Sequence, residues 1–332
     1  MINLIKANIS QNYSNISFDL SNWDDVLRDC SNVSVFYLKS TIAYYEAYFK
    51  GQNLSFVLKE NNSPLAIMPL FAHENERGWV LSTNGDGLIG PLILDGTPKK
   101  LKKRIEKQIA DIIIQVASTL KIQKISLFEG SPSLSSWHLL WLEKSSKDFL
   151  TYQLAIDLNQ TIEEIKLGFR KSYKPLVNKA LRQWNVEVCD PKDDKVFDEF
   201  RLLHLEEAGR QTRNEESWNI QKNQILNQEA FLISVRDDLN LIGAGFFTYT
   251  KDIGMYSVGA YKRDLFDKPI GHAVQVIAIR TLKEIGCATY HLGQKFTSLG
   301  SENATEKELS ISHFKEGFSG YVYVQPHLEV TI

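Results

Sequence analysis

The sequence predicts an α+β chain of two tandem domains, each a mixed, mainly antiparallel sheet flanked by helices. Three observations predict it. The stretch from Phe231 to Gly320 reads as three strands joined by polar turns, then a helix, then a returning strand. The stretch from Phe56 to Phe128 rehearses that order at a constant offset: Phe56 stands against Leu232, Pro64 against Asn240 and Trp79 against Met255. The length of 332 residues lets each half bury a core of its own. The expected division is 1–150 and 151–332.

Composition narrows the class. The apolar share is 43% and the charged share 23%, as in an ordinary globular chain. A net charge of −2 argues against wholesale coating of nucleic acid and leaves room for a local basic groove. Cys30, Cys189 and Cys287 are odd in number and far apart, which fits a reducing compartment and neither a disulfide frame nor a metal site. Residues Met1 to Asn8 lack the apolar core of a signal peptide. The longest greasy helix, Ile109 to Leu120, contains Asp111 and Gln115 and is too short to span a bilayer. A cytoplasmic protein with no transmembrane segment and no metal is expected.

In the first half, Ser14 to Leu20 is an early strand, and Ser21 caps a helix with acidic residues in its first turn. Phe36 to Ser40 leads into a helix, Thr41 to Phe49, closed by Gly51. Strands follow at Phe56–Lys59, Leu65–Leu70 and Trp79–Leu81. The glycines of Asn84–Pro91 make a wide turn; a phosphate cradle would open directly into a helix, and Leu92-Ile93-Leu94 intervenes. The Lys99–Leu120 helix and the strand Ile125–Phe128 complete the half.

Phe149 to Leu158 is a strand at the join of the domains. Thr161 and Glu164 make a capping box for a helix that carries Ile165, Phe169, Val177, Ala180 and Leu181 on one side, with Pro175 kinking or splitting it. Its other side carries Lys166, Arg170, Lys171, Lys174, Lys179 and Arg182, with no acidic residue from Lys166 to Val186. Such a run is ordinarily a solvated face. Lys195 to Ala208 is amphipathic, and the segment His204 to Arg213, with Glu206, Arg210 and Arg213, reads as a mobile loop before a helix capped at Ser217. Strands at Phe231–Val235, Leu241–Thr250 and Met255–Tyr261 lead through a loop to Pro269, a good first-turn residue. Ile270, Ala273, Val274, Ile277, Ala278, Leu282 and Ile285 keep helical spacing up to Gly286, and Thr289–Leu292 is the returning strand.

Three strands, a helix and a returning strand are the core of an acyltransferase fold of the GNAT type. Two segments carry a narrower resemblance. Ile311 to Gly320 contains His313-Phe314-Lys315-Glu316-Gly317-Phe318-Ser319-Gly320, which resembles the FK-x-GF-G tail of the FemAB family. Phe169-Arg170-Lys171-Ser172-Tyr173-Lys174 resembles the basic segment that opens the second domain of that family. These are peptidyl and aminoacyl transferases of the bacterial envelope, built as two tandem GNAT-like domains. The resemblance is strongest from about Phe169 to Tyr323.

The resemblance implies an acyltransferase, by N-acetyl or aminoacyl transfer, acting on an amine of a cell-envelope or surface-glycan precursor in polysaccharide or envelope biosynthesis. No Gly-x-Ser-x-Gly pattern is present, so direct attack by the amine is simpler than an acyl-enzyme. Lys315, beside Phe314, is implied to stabilise the oxyanion or a donor phosphate. His204, Glu206 and His272 are candidates for the proton acceptor, and a histidine at a helix start tends to stay neutral. Arg170, Lys171 and Lys174 fall where the family holds a diphosphate, and Arg210 and Arg213 join the substrate-binding set. Lys39 either faces acceptor phosphates or is a solvated lysine before a helix. The donor stays open between acyl-CoA and aminoacyl-tRNA: Lys262 to Gly271 lacks the Arg/Gln-x-x-Gly-x-Gly/Ala motif of coenzyme A enzymes, and the chain also lacks the long helical arm of some FemAB members. The acceptor is a small molecule, a nucleotide- or lipid-linked sugar or peptide, with peripheral membrane contact allowed. The alternative is a non-catalytic ligand-binding module on a degenerate GNAT scaffold.

Overall fold

A computed structural model describes residues 1–130, 133–297 and 304–332. The chain divides into two compact units, Met1–Thr151 with Val324–Ile332, and Tyr152–Tyr323. The chain's end therefore belongs with its beginning.

The first unit opens with a helix where none is predicted, α1 (Ile2–Asn12), which buries Ile5 and Ile9. The expected strand shrinks to β1 (Ile16–Ser17), and Ser21 bonds Asp19 while Asn22 precedes α2 (Trp23–Asp29). Then come α3 (Lys39–Phe49), β2 (Gln52–Asn53), β3 (Phe56–Glu60), β4 (Ser63–Met68), β5 (Phe71–Asn75), β6 (Gly78–Ser82), β7 (Leu92–Ile93), α4 (Lys99–Thr119), β8 (Lys124–Phe128), α5 (Ser136–Leu142) and the start of β9 (Ser145–Asp157). The predicted strand Leu65–Leu70 ends at Met68, because Pro69 has no N–H to give a ladder. Its continuation, β5, joins a different sheet: the orders are β1-β3-β4-β7 and β2-β5-β6. The glycine-rich segment is a turn, with the Asn84 side chain accepting from the N–H groups of Asp86 and Gly87. Gly85 holds φ +98°, and a Cβ there would lie 2.3 Å from the Phe49 ring. Ile105, Ile109, Ile112, Ile113 and Val116 of α4 fill the core, each worth about 1.5–3 kcal/mol when fully buried.

The second unit contains the end of β9, α6 (Ile162–Leu167), α7 (Tyr173–Gln183), β10 (Asn185–Val188), α8 (Asp194–Ala208), α9 (Glu215–Leu226), β11 (Ala230–Asp237), β12 (Asn240–Tyr249), β13 (Ile253–Tyr261), α10 (Ile270–Ile285), β14 (Thr289–Lys295), α11 (Glu306–Glu316) and the start of β15 (Tyr321–Thr331). The Thr161–Glu164 capping box forms as predicted. The break in the basic helix falls between Leu167 and Tyr173, and Pro175 sits in the first turn of α7, where its missing N–H costs nothing. Within this unit the strand order is β10-β11-β12-β13-β14-β9, antiparallel except for β13 with β14. Alternate residues of β11 serve two cores: Phe231, Ile233 and Val235 face the one shared with α7 and α10, and Ala230 and Leu232 face the one shared with α8 and α9.

Two irregularities shape the sheet near the tail. The ladder of β13 with β14 covers only Ile253↔Thr289 to Met255↔His291, although β13 runs on to Tyr261. And Phe246 pairs with Val258 while Phe247 pairs with Tyr256, so Ser257 is an extra residue, a β-bulge.

Candidate functional site

The tail that resembles a family signature begins in a helix and leaves it at Gly317. Thr305 and Glu308 close a capping box that starts α11. Successive helical residues point about 100° apart, so Phe314 and Lys315 meet different neighbours. Phe314 stacks edge-on against His272 at 5.1 Å and against Phe318 at 5.4 Å. The Lys315 Nζ lies 5.2 Å from the centre of the Tyr256 ring. A Cβ at Gly293 would come within 2.9 Å of the same Nζ, and Gly293 holds φ +112° beside a register shift of β14. Glycine there both permits the left-handed backbone and leaves the ammonium its space.

Among the described residues no carboxylate pairs with Lys315; the neighbouring acid, Glu316, is taken by Lys295. Burial pulls the Lys315 pKa from 10.5 down to about 8. The group is thus mostly charged at neutral pH, poorly solvated, and held by the negative face of an aromatic ring. A cation in that state attracts developing negative charge far more strongly than one in water.

Tyr173 ties α7 to the tail. A Cβ on Gly317 would sit 2.1 Å from its ring, so the first glycine of the tail motif is the seat of that ring. The Tyr173 hydroxyl donates to the Phe314 carbonyl at 3.0 Å and accepts from Arg170 Nη1 at 3.1 Å. Arg170 Nη2 donates to the His313 carbonyl at 3.0 Å, and the Arg170 backbone N–H donates to the Gly317 carbonyl at 2.8 Å. Arg170 is therefore occupied in bracing the tail. His272, at the start of α10, packs edge-on against Tyr173 at 4.4 Å. Its Nε2 is buried without a hydrogen-bond partner among the described residues. Burial, and then the Arg170 charge, push its pKa down to about 4, so it is neutral at pH 7.

The other predicted residues lie apart from this cluster. His204 to Ala208 are the end of α8, and only Gly209 to Arg213 form a loop, because the apolar spacing of α8 continues to its left-handed stop at Gly209. His204 Nε2 lies 3.2 Å from Arg213 Nη1, and its ring packs edge-on against Trp218. Burial, then the charges of Arg213 and Lys307, lower its pKa to about 4. Glu206 and Arg210 are exposed, and it is Glu207 that meets Arg263. Lys174, in the first turn of α7, and Lys171, just before that helix, are both exposed. Lys39, in the first unit, begins α3 and pairs with Asp24 at 2.6 Å. Among the described residues no group of three or more His, Cys, Asp or Glu is placed to hold a metal ion, and no helix is long and apolar enough to cross a membrane.

Sequence reasoning missed Tyr256, Gly293 and Tyr173 as parts of this corner. Tyr173 lay within the quoted basic segment and was legible there as an aromatic among cations. Tyr256 was not, because the bulge at Ser257 changes the face on which it falls.

No family model and no curated protein sequence matches the chain. Solved structures do match in fold. The crystal structure of FemX superposes with a TM-score of 0.67 at 13% identity, over 93% of this chain and 96% of that one. L-PGS from Bacillus licheniformis gives 0.61 at 13% identity, over 93% and 91%. A tandem GNAT protein from the clavulanic acid biosynthesis pathway gives 0.51 at 10% identity, over 93% and 94%. The class the fold defines is thus a mixed α+β chain of tandem GNAT-like units. More narrowly, the chain has a FemAB-like fold.

Proposed function

We propose that the protein transfers an acyl or aminoacyl group from an activated carrier to an amine of a cell-envelope or surface-glycan precursor. The observation that carries this reading is the Lys315 ammonium, desolvated and without a carboxylate partner among the described residues, set between the Tyr256 ring and Gly293. The acceptor's neutral amine attacks the ester or thioester carbonyl carbon. A C–N bond forms, the carbonyl oxygen becomes an oxyanion beside Lys315, and the C–O or C–S bond then breaks, with the leaving group taking the amine's surplus proton. Preorganised charge at the oxyanion is usually the largest single contribution to such a step. The depressed basicity of His272 and His204 favours an amine that arrives unprotonated over strong general-base help, since a base works best with a pKa near the working pH.

The short β13–β14 ladder supports a donor site. Beyond Met255 the β14-facing edge of β13 has no strand partner among the described residues, and unpaired backbone N–H and C=O groups can hold an extended amide chain. Both acyl-CoA and aminoacyl-tRNA remain donors in this reading. Lys171 and Lys174, exposed at the start of α7 and just before it, are the cations free to meet an acceptor's phosphates.

The test is a product assay. Aminoacyl-tRNA and acetyl-CoA are each offered with a UDP-linked amino sugar or a peptidoglycan peptide, and the mass of the acceptor is followed. A gain of the acyl mass that is lost in Lys315→Ala is expected. Thermal stabilisation by acceptors alone, with no mass gain from either donor, would overturn the reading in favour of a binding module.

A further inference from the structure

The core of the second unit holds more buried polar chemistry than the fold requires. Tyr256, Tyr261, Tyr290 and Gln275 cluster beneath the tail. The Tyr256 and Tyr261 hydroxyls lie 3.0 Å apart, and the Tyr290 hydroxyl donates to Gln275 Oε1 at 2.6 Å. Gln275 is fully buried, and its Nε2 has no partner among the described residues. Placing phenols and an amide in an apolar core, with one donor unmade, costs stability that leucines and phenylalanines would not.

The backbone has been adapted to admit Tyr256 in particular. In an unbroken strand Tyr256 and Val258 would share a face. With Ser257 bulged out, Val258 joins the core of α8 and α9, whereas Tyr256 packs into the core of α7 and α10. Gly259 leaves the space that its hydroxyl occupies, since a Cβ there would fall 2.0 Å from it. The Phe247 ring stacks on Tyr256 at 5.2 Å. Bulge, glycine, stacked ring and hydroxyl pair all fix one object, the Tyr256 ring, and Lys315 Nζ stands over it at 5.2 Å.

We infer that Tyr256 is a positioning residue, whose ring, held by the Ser257 bulge and the Tyr261 hydroxyl, fixes the place of the Lys315 ammonium. This rests on the role proposed above for Lys315. Lys295 of β14 and Glu316 of α11 pair with each other, and His291 of β14 bonds the Tyr323 hydroxyl at 3.0 Å. Burial raises the pKa of Tyr256 and Tyr261, so both phenols stay neutral over the working range. The ring face is therefore the main attraction available to the cation.

The experiment compares Tyr256→Phe with Tyr256→Leu. Lys315 titration is read directly, by pH-dependent labelling with an amine reagent and peptide mass spectrometry, and kcat and KM are read where turnover is found. Leucine keeps the spot apolar and removes the π face, so the Lys315 pKa should fall further, by roughly half a unit to one unit. Its kcat at fixed pH should drop about tenfold with little change in KM. Phenylalanine keeps the ring and should hold the Lys315 pKa near the wild-type value. A folded Tyr256→Leu protein whose Lys315 titrates as in wild type would overturn the inference. The labelling needs no substrate, so a Lys315 titration that moves as expected in a protein without transfer activity would sink the proposed reaction and leave the positioning role standing.

Discussion

The two units build the same order of elements and spend it differently. In the second, β11, β12 and β13 form one ladder, and the strand that follows α10 lies parallel to β13. In the first, the corresponding run is cut at Pro69, so that β3 pairs with β4 in one sheet and β5 with β6 in another. The helix that follows is also different in character. α4 opens on Lys99, Lys100, Lys102 and Lys103 and packs an aliphatic face, whereas α10 opens on a neutral His272 and faces buried tyrosines. A proline or a one-residue bulge decides which faces of a repeated scaffold are free for chemistry. Here the single, bulged ladder carries the tyrosine that underlies the desolvated lysine of α11, and the divided one carries an apolar core.

That contrast can be broken most directly at Lys315. If the chemistry resides there, Lys315→Ala should lower kcat by roughly 10²–10³ with substrate Kd nearly unchanged, read by steady-state kinetics beside equilibrium binding. Lys315→Arg should rescue poorly, since a planar fork does not replace a compact ammonium. The pH sign follows from the lowered pKa: the charge is present below about 8 and lost above it, so wild-type kcat should fall as pH rises through about 8. Arginine at this position should abolish that limb. Wild-type turnover in Lys315→Ala would make the tail a structural motif.

A smaller effect is expected at the packing beneath the tail. Gly317→Ala puts a Cβ into the Tyr173 ring and should cost about 1–3 kcal/mol in chemical denaturation, by overpacking. Gly85→Ala makes the matching change in the first unit, against Phe49 and at positive φ. Only the Gly317 change should also disturb turnover. Equal loss of turnover in both would erase the distinction between the units.

Acid should loosen both units, because each holds buried histidines. Burial lowers the pKa of His204, His272 and His291 to about 4. It also lowers the pKa of His327, in the first unit, to about 4. In the unfolded chain these groups protonate near 6.5, so between the two values the unfolded state binds more protons. Their neutral forms leave stability intact above about pH 6.5, and it is lost as pH falls towards 4. Hydrogen exchange at pH 5 against pH 7 should show α10 and β14 losing protection. In the first unit, the end of β15, which carries His327, should lose protection as well, and protection at pH 5 equal to that at pH 7 would count against the assignment. The smallest effect belongs to the exposed pair: Lys171→Ala with Lys174→Ala should weaken acceptor binding by no more than about 1 kcal/mol each, mostly at low salt, and leave Tm unchanged. Arg170→Ala, by contrast, should lower Tm because it removes the guanidinium bonds to the His313 carbonyl and the Tyr173 hydroxyl.

Much of this was legible in the sequence where periodicity and caps agree. The capping box at Thr161, the helix from Ile270 to Ile285 and the strands β11 to β13 stand close to their predicted bounds. What escaped was decided by tertiary contact. α1 has weak amphipathic patterning and forms by burying Ile5 and Ile9. The break before Tyr173 obeys the packing of that ring on Gly317, which no local pattern encodes. The FK-x-GF-G tail was readable as a motif, but its neighbours were not: Gly293 and Tyr256 meet Lys315 only because β14 shifts register and β13 bulges.

The last strand has a consequence for how the chain is made. His327 to Thr331 of β15 pair with Lys124 to Phe128 of β8, joining residues about two hundred positions apart. The first unit therefore emerges from the ribosome with one edge of β8 bare, and stays so through synthesis of the entire second unit. Closure over such a separation is slow, and an unpaired edge in the interval invites association with other nascent chains. The order of completion is the reverse of the order of synthesis: the half that is translated first is the half that finishes last.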